Sequence, residues 1–538
     1  MTRLTERQAF KALVGQRQTK IRLRELFAAD PERFERFSFE AAGLFVDCSR
    51  NLMDDTIWNH LLQLAHEVNL PGARRALFTG EVVNATEDRP ALHPMLRATA
   101  QDIPPQWRGV ITDNLEHMER FVSGVRNGQI SGASGQPLRD VVNIGIGGSD
   151  LGPRLVCQAL AELSDQHIRM HFVANVDGAE WEAVRPRLQP HNTLLLINSK
   201  SFSTTETERN ARTAMAWLME QGVDRAAIGQ HLVALTGNRQ AALAMGVPEA
   251  RIFPVWDGVG GRYSLWGSNG LAIALYLGMP IFRALLNGAR QMDQHFLSAS
   301  LSVNMPVRLA LHEIWYGQVL GAETHAIVPY DQRLELLPAY LQQLDMESNG
   351  KSVDVAGNFL QTTSGPVIWG GVGTNVQHAF FQLLHQGTHL VPCDLLLVRY
   401  PAHNLPEHHA MLLANALAQG RALMWGRTLA ETEAVLAAAG HDRETIRRLA
   451  PAMTFSGNRP STTIMLNTLT PVSLGALLAM YEHKVFCHGV LLGINSFDQM
   501  GVELGKTIAK TLLAPLQGAP VPEDLDSSTA GLLQRLLD

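Results

Sequence analysis

The chain has 538 residues, of which 46% are hydrophobic and 18% are charged, with a net charge of −6 and a pI of about 6.4. Its length allows a large buried core and more than one domain, and its mild acidity argues against a protein that binds nucleic acids or a membrane surface as a whole. Its four cysteines are far apart and form no C-x-x-C pair, which argues against a disulfide framework or a zinc site and favours a reducing cytoplasm.

The first hundred residues or so have helical patterns, for example Ile57, Leu61 and Ala65 after an acidic start. The amino-terminal stretch is charged and lacks an apolar signal core, and no apolar run is long enough to span a bilayer. From residue 140 onward, apolar runs alternate with helical patterns, which is typical of parallel sheets covered by helices on both faces. The strands predicted in this first region are "DVVNIGIGG", "MHFVANVDG", "NTLLLINSKS", "HLVALTGN" and "RIFPVW".

A second alternating region contains the predicted strands "ETHAIVPY", "GPVIWGGVG" and "CDLLLVRY". A helix is predicted over residues 334–346, with Leu341, Leu344 and Met346 facing inward. The last helix is predicted from about residue 502, and the Pro/Gly/Ser-rich stretch "QGAPVPEDLDSSTAG" that follows it is predicted to be a tail.

These patterns predict an α/β protein with two doubly wound domains of mainly parallel strands. Residues 1–105 would form a helical region that packs on the large domain, and residues 106–275 a small α/β domain. Residues 276–500 would form the large α/β domain, and residues 501–538 a C-terminal helix with a tail. Ligands bind at the carboxyl ends of strands in such sheets, so candidate site residues should follow the predicted strands.

The stretch "NIGIGGSDLG" follows the first strand of this region. A dinucleotide-binding loop requires G-x-G-x-x-G, but Asp150 stands where the third glycine is needed, and no acidic residue follows at the required distance. A nicotinamide cofactor is therefore not expected. The glycine-rich turn either exposes backbone N–H groups to an anion or serves close helix packing.

The stretch "NSKSFSTTETERN" follows the apolar strand "TLLLI" and opens a helix. A single capping residue would explain one hydroxyl group, whereas a phosphate monoester needs several donors at once. The stretch offers one ammonium group and six hydroxyl groups, on Ser199, Lys200, Ser201, Ser203, Thr204, Thr205 and Thr207. These residues predict a phosphate site.

In "DGVGGRYSLWGSNG", glycines before Arg262 would let a ligand approach the backbone while the guanidinium offers a fixed cation, unless Arg262 pairs with a structural carboxylate. The stretch "LQQLDMESNGKSV" contains Glu347 at a predicted helix end. A carboxylate there opposes the helix dipole, which suits a group that takes up a proton. The "GKS" that follows is not a nucleotide-binding loop, because Asp345 stands where a glycine is required.

Three further stretches contain candidate polar groups. "GTNVQHAFFQLLHQGT" places His378 and His385 seven residues apart, on one face of a predicted helix, where ordinary structural histidines are the alternative. "NSFDQMGVELGK" contains Gln499 and Lys506, and the alternative for Lys506 is a solvated surface residue. "PAHNLPEHHA" does not form H-E-x-x-H, so no functional metal is expected there.

Six of these blocks occur in the order found in the glucose-6-phosphate isomerase (phosphoglucose isomerase) family, which the chain resembles. They are "GIGGSD", "SKSFSTTET", "GGRYSLW", "LDMESNGK", "GTNVQHAFFQLLHQGT" and "NSFDQMGVELGK". The resemblance implies two sugar-isomerase-type (SIS) domains, a helical N-terminal region, a C-terminal helical arm and a homodimer without metal or organic cofactor. It also implies interconversion of glucose 6-phosphate and fructose 6-phosphate in glycolysis and gluconeogenesis.

The resemblance further implies roles for individual residues. Glu347 matches the catalytic base and Arg262 the group that stabilises the intermediate. His378 and Lys506 match the ring-opening groups, with His378 held by the carboxylate of Glu206. The substrate-binding groups are matched by Gly148, Ser149, Ser199, Lys200, Ser201, Thr204, Thr207, Gln343 and Gln499.

Four departures from the family pattern occur. Val376 replaces a glycine, Met500 a tryptophan and Ser201 a threonine, and "SLWGSNG" stands where the family has "SLWSAIG". Ser201 keeps its hydroxyl group, while Val376 and Met500 alter local packing. Two alternatives stay open on the same scaffold: an isomerase that also acts on mannose 6-phosphate, and a non-catalytic sugar-phosphate sensor or signalling protein.

Overall fold

A computed structural model describes residues 3–538. Its strands are β1 (Ser38–Ala41), β2 (Leu44–Asp47), β3 (Val82–Asn84), β4 (Arg89–Pro90), β5 (Asp140–Ile144), β6 (Arg169–Val173), β7 (Thr193–Asn198), β8 (Leu232–Thr236), β9 (Ile252–Pro254), β10 (Thr324–Tyr330), β11 (Val367–Gly370), β12 (Cys393–Val398) and β13 (Ser461–Leu466).

The α-helices are α1 (Gln8–Gln16), α2 (Leu23–Ala29), α3 (Arg33–Phe37), α4 (Asp55–Glu67), α5 (Leu70–Thr79), α6 (Pro105–Arg126), α7 (Leu151–Ala159), α8 (Gly178–Val184), α9 (Thr205–Glu220), α10 (Arg239–Ala244), α11 (Leu271–Leu277), α12 (Met279–Ser298), α13 (Met305–Glu313), α14 (Leu337–Leu341), α15 (Phe381–Gln386), α16 (Pro406–Trp425), α17 (Leu429–Ala438), α18 (Arg443–Leu449), α19 (Pro471–Leu492), α20 (Glu503–Leu516) and α21 (Ser527–Leu537).

The first sheet is entirely parallel and has the order β6-β5-β7-β8-β9. Its strands are apolar runs; β5, β7 and β8 are fully buried because helices cover both faces. The chain leaves β5 in one direction for β6 and returns on the other side for β7, so a topological switch point lies between β5 and β7. Ligands bind at such points, just beyond the carboxyl ends of the two strands.

The second sheet has the order β1-β2-β13-β12-β10-β11. Strands β10 to β13 are parallel, and β2 joins β13 antiparallel. The strands predicted from the apolar runs are present in both sheets, and the predicted α/β class with mainly parallel sheets is confirmed. The prediction that the first hundred residues are only helical is wrong, because the hairpin β1–β2 extends this sheet.

Helix α19 is buried over almost its whole length, including the polar side chains of Glu482, His483 and Lys484. Each has a partner. Arg97 pairs with Glu482, and Glu313 Oε1 lies 2.6 Å from Lys484 Nζ. Asp293 Oδ1 lies 2.6 Å from Nε2 of His483, an imidazole whose pKa is lowered by burial. Buried charges persist in a core only when they are paired in this way. These polar contacts attach α12, α13 and the segment around Arg97 to α19.

The chain divides into two compact units, the first ending at Ser496 and the second spanning Phe497–Asp538. The second unit contains α20 and α21. The prediction of an irregular tail after the last helix is therefore wrong in part, since Asp526 caps a further helix by accepting hydrogen bonds from the N–H groups of Ser528 and Thr529. Among the described residues 3–538, no helix is both long and apolar enough to cross a bilayer.

Candidate active site

The glycine-rich loop after β5 forms the 3₁₀ turn Gly147–Ser149. Gly147 has a φ of +59°, and a Cβ atom on Gly148 would lie 2.0 Å from the carbonyl of Gly261. Glycine is therefore required for the loop to pack against the turn that begins with Gly261 and Arg262. The backbone of the loop is thus brought next to the candidate cation.

Three buried amide side chains surround Ser149. Asn143 and Asn198 donate hydrogen bonds from Nδ2 to the Ser149 carbonyl, at 2.9 Å and 3.1 Å, and Asn269 Nδ2 lies 3.5 Å from the Ser149 hydroxyl. The sequence motifs do not predict these asparagines as site residues. The available signal was a polar amide within each of the apolar strands β5 and β7, since a buried amide needs partners.

The hydroxyl-rich loop after β7 leads into α9. Ser199 Oγ lies 3.0 Å from Thr204 Oγ1, and Thr204 occupies the N-cap position of α9 without capping it through its side chain. Thr207 Oγ1 is buried and has no hydrogen-bond partner within residues 3–538. Side-chain capping therefore does not account for these hydroxyls, and the first turn of α9 keeps donors for an anion.

Lys200 and Ser201 are held by the neighbouring loops. Lys200 Nζ donates to the carbonyls of Asp257 and Val259, at 2.8 Å and 3.2 Å. Burial lowers the pKa of the Lys200 ammonium, and the carboxylate of Asp257 opposes this shift. Ser201 is exposed, and its hydroxyl accepts hydrogen bonds from the backbone N–H and the hydroxyl of Ser203. Lys200 thus ties this loop to the segment that leads to Arg262.

Glu347 ends the π-helical segment Gln342–Glu347, which continues α14. Gln343 Nε2 donates a hydrogen bond of 3.1 Å to Glu347 Oε2. The wider π winding moves Met346 to the surface, so the prediction that Met346 faces inward is wrong, whereas Leu341 and Leu344 are buried as predicted. π segments of this kind occur frequently at functional sites.

Arg262 is buried and lies against Glu347. Its Nη1 is 3.2 Å from Glu347 Oε2, its Nε donates to Ser348 Oγ at 2.6 Å, and its Nη2 donates to the Ser496 carbonyl at 2.7 Å. The Tyr263 hydroxyl lies 2.9 Å from Ser348 Oγ, and burial raises the pKa of Tyr263 to about 12. Ser348 and Ser496 were not identified from the sequence, since nothing in their spacing from Arg262 predicts these contacts.

Gln343 brings the glycine loop and Glu347 together. A Cβ atom on Gly147 would lie 2.8 Å from Gln343 Nε2, the same nitrogen that donates to Glu347. The carboxyl ends of the first sheet and the π-helical segment after β10 therefore meet at one place, where Glu347, Arg262 and Gln343 lie beside the backbone of Gly147 and Gly148.

His378 ends the 3₁₀ turn Asn375–His378, and its side chain is exposed. The prediction of one continuous helix with His378 and His385 on the same face is wrong, because this turn ends before α15 begins at Phe381. His385 Nε2 lies 2.8 Å from Gln419 Oε1, as expected for a structural histidine. In the described part of the chain, no hydrogen bond or ion pair joins His378 to the half-buried Glu206.

Gln499 and Lys506 belong to the second unit, Phe497–Asp538. Gln499 is half-buried and precedes a 3₁₀ turn, Met500–Val502. Lys506 lies in α20 and is exposed, with its Nζ 2.8 Å from Glu503 Oε1. An exposed ion pair of this type contributes little to stability, so it does not by itself account for the lysine.

A carboxylate beside a fixed guanidinium, with a glycine-rich loop and a hydroxyl-rich loop at the switch point of a parallel sheet, is an arrangement typical of an enzyme that acts on a small phosphorylated substrate. The model of the family described as phosphoglucose isomerase matches residues 47–533. The chain belongs to the phosphoglucose isomerase family.

Relatives of similar length support this assignment. The glucose-6-phosphate isomerase of Pseudomonas fluorescens (strain Pf0-1) is 47% identical over 535 residues, covering 98% of this chain and 96% of the relative. Glucose-6-phosphate isomerase 1 of Chromobacterium violaceum is 46% identical over 544 residues, covering 99% of both proteins.

A solved structure has the same fold over its whole length. The glucose-6-phosphate isomerase of Chlamydia trachomatis superposes with a TM-score of 0.85 at 28% identity and covers 100% of both chains. A hypothetical protein of Thermus thermophilus, TT0462, superposes with a TM-score of 0.60 at 26% identity over 84% of this chain and 96% of its own.

Proposed function

We propose that this chain catalyses the reversible isomerisation of D-glucose 6-phosphate and D-fructose 6-phosphate, a step of glycolysis and gluconeogenesis. The observation that carries the proposal is the contact between Arg262 and Glu347 next to the glycine loop Gly147–Ser149. Membership of the phosphoglucose isomerase family supports it, as do nearly full-length relatives that bear the name of this activity.

Glu347 acts as the base. Aldose–ketose isomerisation moves a proton between C1 and C2 through a cis-enediol, and one carboxylate can remove the proton from one carbon and return it to the other. Glu347 is suited to this role because its side chain is 22% exposed, so one side is open while Gln343 holds it in place. A single carboxylate is sufficient because the two carbons are neighbours.

Arg262 stabilises the negative charge of the enediolate. A buried, pre-oriented guanidinium acts at the moment when charge develops, with little reorganisation. The side chain of Arg262 is 1% exposed, and its Nε and Nη2 groups donate hydrogen bonds to Ser348 and Ser496. These two bonds fix the orientation of Nη1, which lies against Glu347. The fixed fork of an arginine suits this role better than a flexible ammonium group.

The substrate phosphate binds to the loops after β5 and β7. The backbone of Gly148, the hydroxyls of Ser149, Ser199, Thr204 and Thr207, and the free donors at the start of α9 supply the hydrogen bonds. Lys200 and Ser201 complete the loop around the anion. The phosphate is remote from C1 and C2, so its binding free energy orients the reacting carbons.

Ring opening precedes proton transfer. His378 and Lys506 protonate the ring oxygen and remove the proton of the C1 hydroxyl, and Glu206 orients His378, as their positions in the family motifs imply. Gln343 and Gln499 contact the sugar hydroxyls. A histidine suits ring opening because an imidazole can both accept and donate a proton.

We further propose that the chain is a cytoplasmic homodimer. The four cysteines are buried and free, as is usual for proteins of a reducing compartment. Light scattering of the purified protein tests the dimer, since a monomer at micromolar concentration would exclude it.

A coupled assay tests the activity. Fructose 6-phosphate is supplied, and an added NADP-dependent dehydrogenase oxidises the glucose 6-phosphate that is formed. The NADPH produced in this second step is measured. We expect turnover that EDTA does not reduce, and absence of turnover would refute the proposal. Mannose 6-phosphate, assayed side by side, separates a dedicated isomerase from one with two substrates, and binding of fructose 6-phosphate without turnover would indicate a sensor.

A further inference from the structure

The guanidinium of Arg262 is held by a backbone carbonyl whose own position needs explanation. Arg262 Nη2 donates a 2.7 Å hydrogen bond to the carbonyl of Ser496. This carbonyl lies four residues beyond the end of α19, so no helix or sheet ladder determines where it points. The direction of the Arg262 fork therefore depends on whatever fixes Ser496.

Ser496 is fixed by Asn349. The Ser496 hydroxyl donates a 2.7 Å hydrogen bond to Asn349 Oδ1, and Asn349 Nδ2 donates a 3.0 Å bond to the carbonyl of Val485 in α19. Asn349 and Ser496 are both buried, so neither bond competes with water. The amide of Asn349 thus links the segment around Ser496 to α19, which is buried over almost its whole length.

Glycine at position 489 makes this link possible. A Cβ atom on Gly489 would lie 1.9 Å from Ser496 Oγ and 3.0 Å from Asn349 Oδ1. Position 489 is in the last turn of α19, where glycine costs about 1 kcal/mol relative to alanine. The close approach of the two side chains accounts for a glycine inside a helix.

Asn349 lies two residues after Glu347. The proposed base and the residue that holds Arg262 in place through Ser496 therefore belong to one short segment. Ser348, between them, accepts the hydrogen bond of Arg262 Nε. A shift of Ser496 would rotate the Arg262 guanidinium about its contact with Ser348 and move Nη1 relative to Glu347. Reacting groups misplaced by about 1 Å can cost about 100-fold in rate.

We propose that Asn349 and Ser496 are positioning residues that hold the Arg262 guanidinium against Glu347 through the Ser496 carbonyl. This inference rests on the proposed isomerase function. In this proposal neither Asn349 nor Ser496 contacts the substrate, and both act only through Arg262. Their loss should therefore lower kcat and leave the phosphate-dependent KM almost unchanged.

The test compares Ser496→Ala in two backgrounds, wild type and Arg262→Ala, with fructose 6-phosphate as substrate. In the wild-type background we expect kcat to fall about 10- to 100-fold, with KM changed by less than about 2-fold. In the Arg262→Ala background the same substitution should change kcat by less than about 2-fold, because the group that it positions is gone. Ser496→Cys, which keeps a weak S–H donor, should retain an intermediate kcat.

Ser473→Ala is the matched control, since Ser473 Oγ also donates a 2.7 Å hydrogen bond, to the Thr468 carbonyl at the other end of α19. It should lower the Tm but leave kcat unchanged. Thermal unfolding is recorded for every variant. If Ser496→Ala does not fold, the kcat of Ser496→Cys is compared with wild type instead, and an unchanged kcat would then overturn the inference.

An unchanged kcat of folded Ser496→Ala, or an equal loss in both backgrounds, would overturn the inference. An inactive wild-type protein would instead refute the proposed function, so the two failures are distinguishable.

Discussion

Arg262 Nη1 lies 3.2 Å from Glu347 Oε2, and the side chain of Arg262 is 1% exposed while that of Glu347 is 22% exposed. The cation is therefore enclosed and fixed, whereas the carboxylate keeps one side open. In the proposed reaction the carboxylate takes up the proton, and the guanidinium is already in place for the charge that the enediolate develops.

Arg262→Lys should lower kcat about 100-fold while KM for fructose 6-phosphate changes little. Lysine keeps the positive charge but lacks the planar fork, so it cannot bond to Ser348, Ser496 and Glu347 at once. Steady-state kinetics at saturating substrate measure the effect.

Arg308→Lys provides the control for Arg262→Lys. Arg308 is also buried, and its Nη1 donates a 3.0 Å bond to the Ser302 carbonyl. This control should reduce thermal stability and leave kcat intact. Equal kcat values for Arg262→Lys and wild type would show that charge alone is sufficient at this position.

Thr207→Val should raise KM for fructose 6-phosphate about 10-fold, because it removes a donor to the phosphate, without lowering the Tm. The Tm should not fall because Thr207 Oγ1 is buried and has no partner among the described residues. The methyl group of valine therefore replaces a polar atom that makes no hydrogen bond in the folded protein. Kinetics and thermal unfolding of the same preparation test the two halves of the prediction.

Thr432→Val is the contrasting variant. Thr432 is buried, and its hydroxyl donates a 2.9 Å bond to the Thr428 carbonyl. Its replacement should lower the Tm and leave KM unchanged. If Thr207→Val instead lowered the Tm and left KM as in wild type, Thr207 would be a structural residue and not a phosphate ligand.

His325 should make stability depend on pH above neutrality. Its Nδ1 lies 2.6 Å from Glu313 Oε1 and its Nε2 lies 3.0 Å from Asp394 Oδ1. Burial alone would lower the pKa of His325, but the charges of Glu313 and Asp394 outweigh it and raise this pKa from 6.5 to about 9. The stabilisation by the protonated ring is then complete below pH 6.5 and is lost as the pH rises through about 9.

Denaturant unfolding between pH 6.5 and about pH 9 measures this dependence. The free energy of unfolding of the wild-type protein should fall more steeply over this range than that of His325→Gln. His167→Gln, at an exposed histidine, should keep the wild-type slope because the buried cluster remains intact. Identical slopes for the wild-type protein and His325→Gln would refute the assignment.

The apolar strands could be predicted from the sequence because parallel strands buried on both faces read as continuous hydrophobic runs. The hairpin β1–β2 lacks such a run and stands among helical patterns, and the first half of β13 consists of hydroxyl residues, so neither was predicted. The helix α21 was hidden by the Pro/Gly/Ser-rich stretch that precedes it. Local composition therefore identified the other parallel strands but not β13, the hairpin β1–β2 or the last helix.

The candidate site could be predicted only as separate stretches. Motif chemistry identified Arg262 and Glu347, but their contact depends on how the two sheets are assembled, and the contributions of Ser348 and Ser496 arise only in three dimensions. The outward position of Met346 depends on a π-helical winding that no spacing rule anticipates. Helix periodicity, which assumes 3.6 residues per turn, fails there for the same reason.

The turnover number of Glu347→Gln with saturating fructose 6-phosphate tests the central claim most directly. Glutamine keeps the shape of the side chain but cannot accept the proton, so kcat should fall at least about 1,000-fold while the affinity for fructose 6-phosphate is preserved. Asp345→Asn, in the same π-helical segment, serves as the control and should keep nearly full activity. A folded Glu347→Gln enzyme that retained a kcat within about 10-fold of wild type would contradict the assignment of Glu347 as the base.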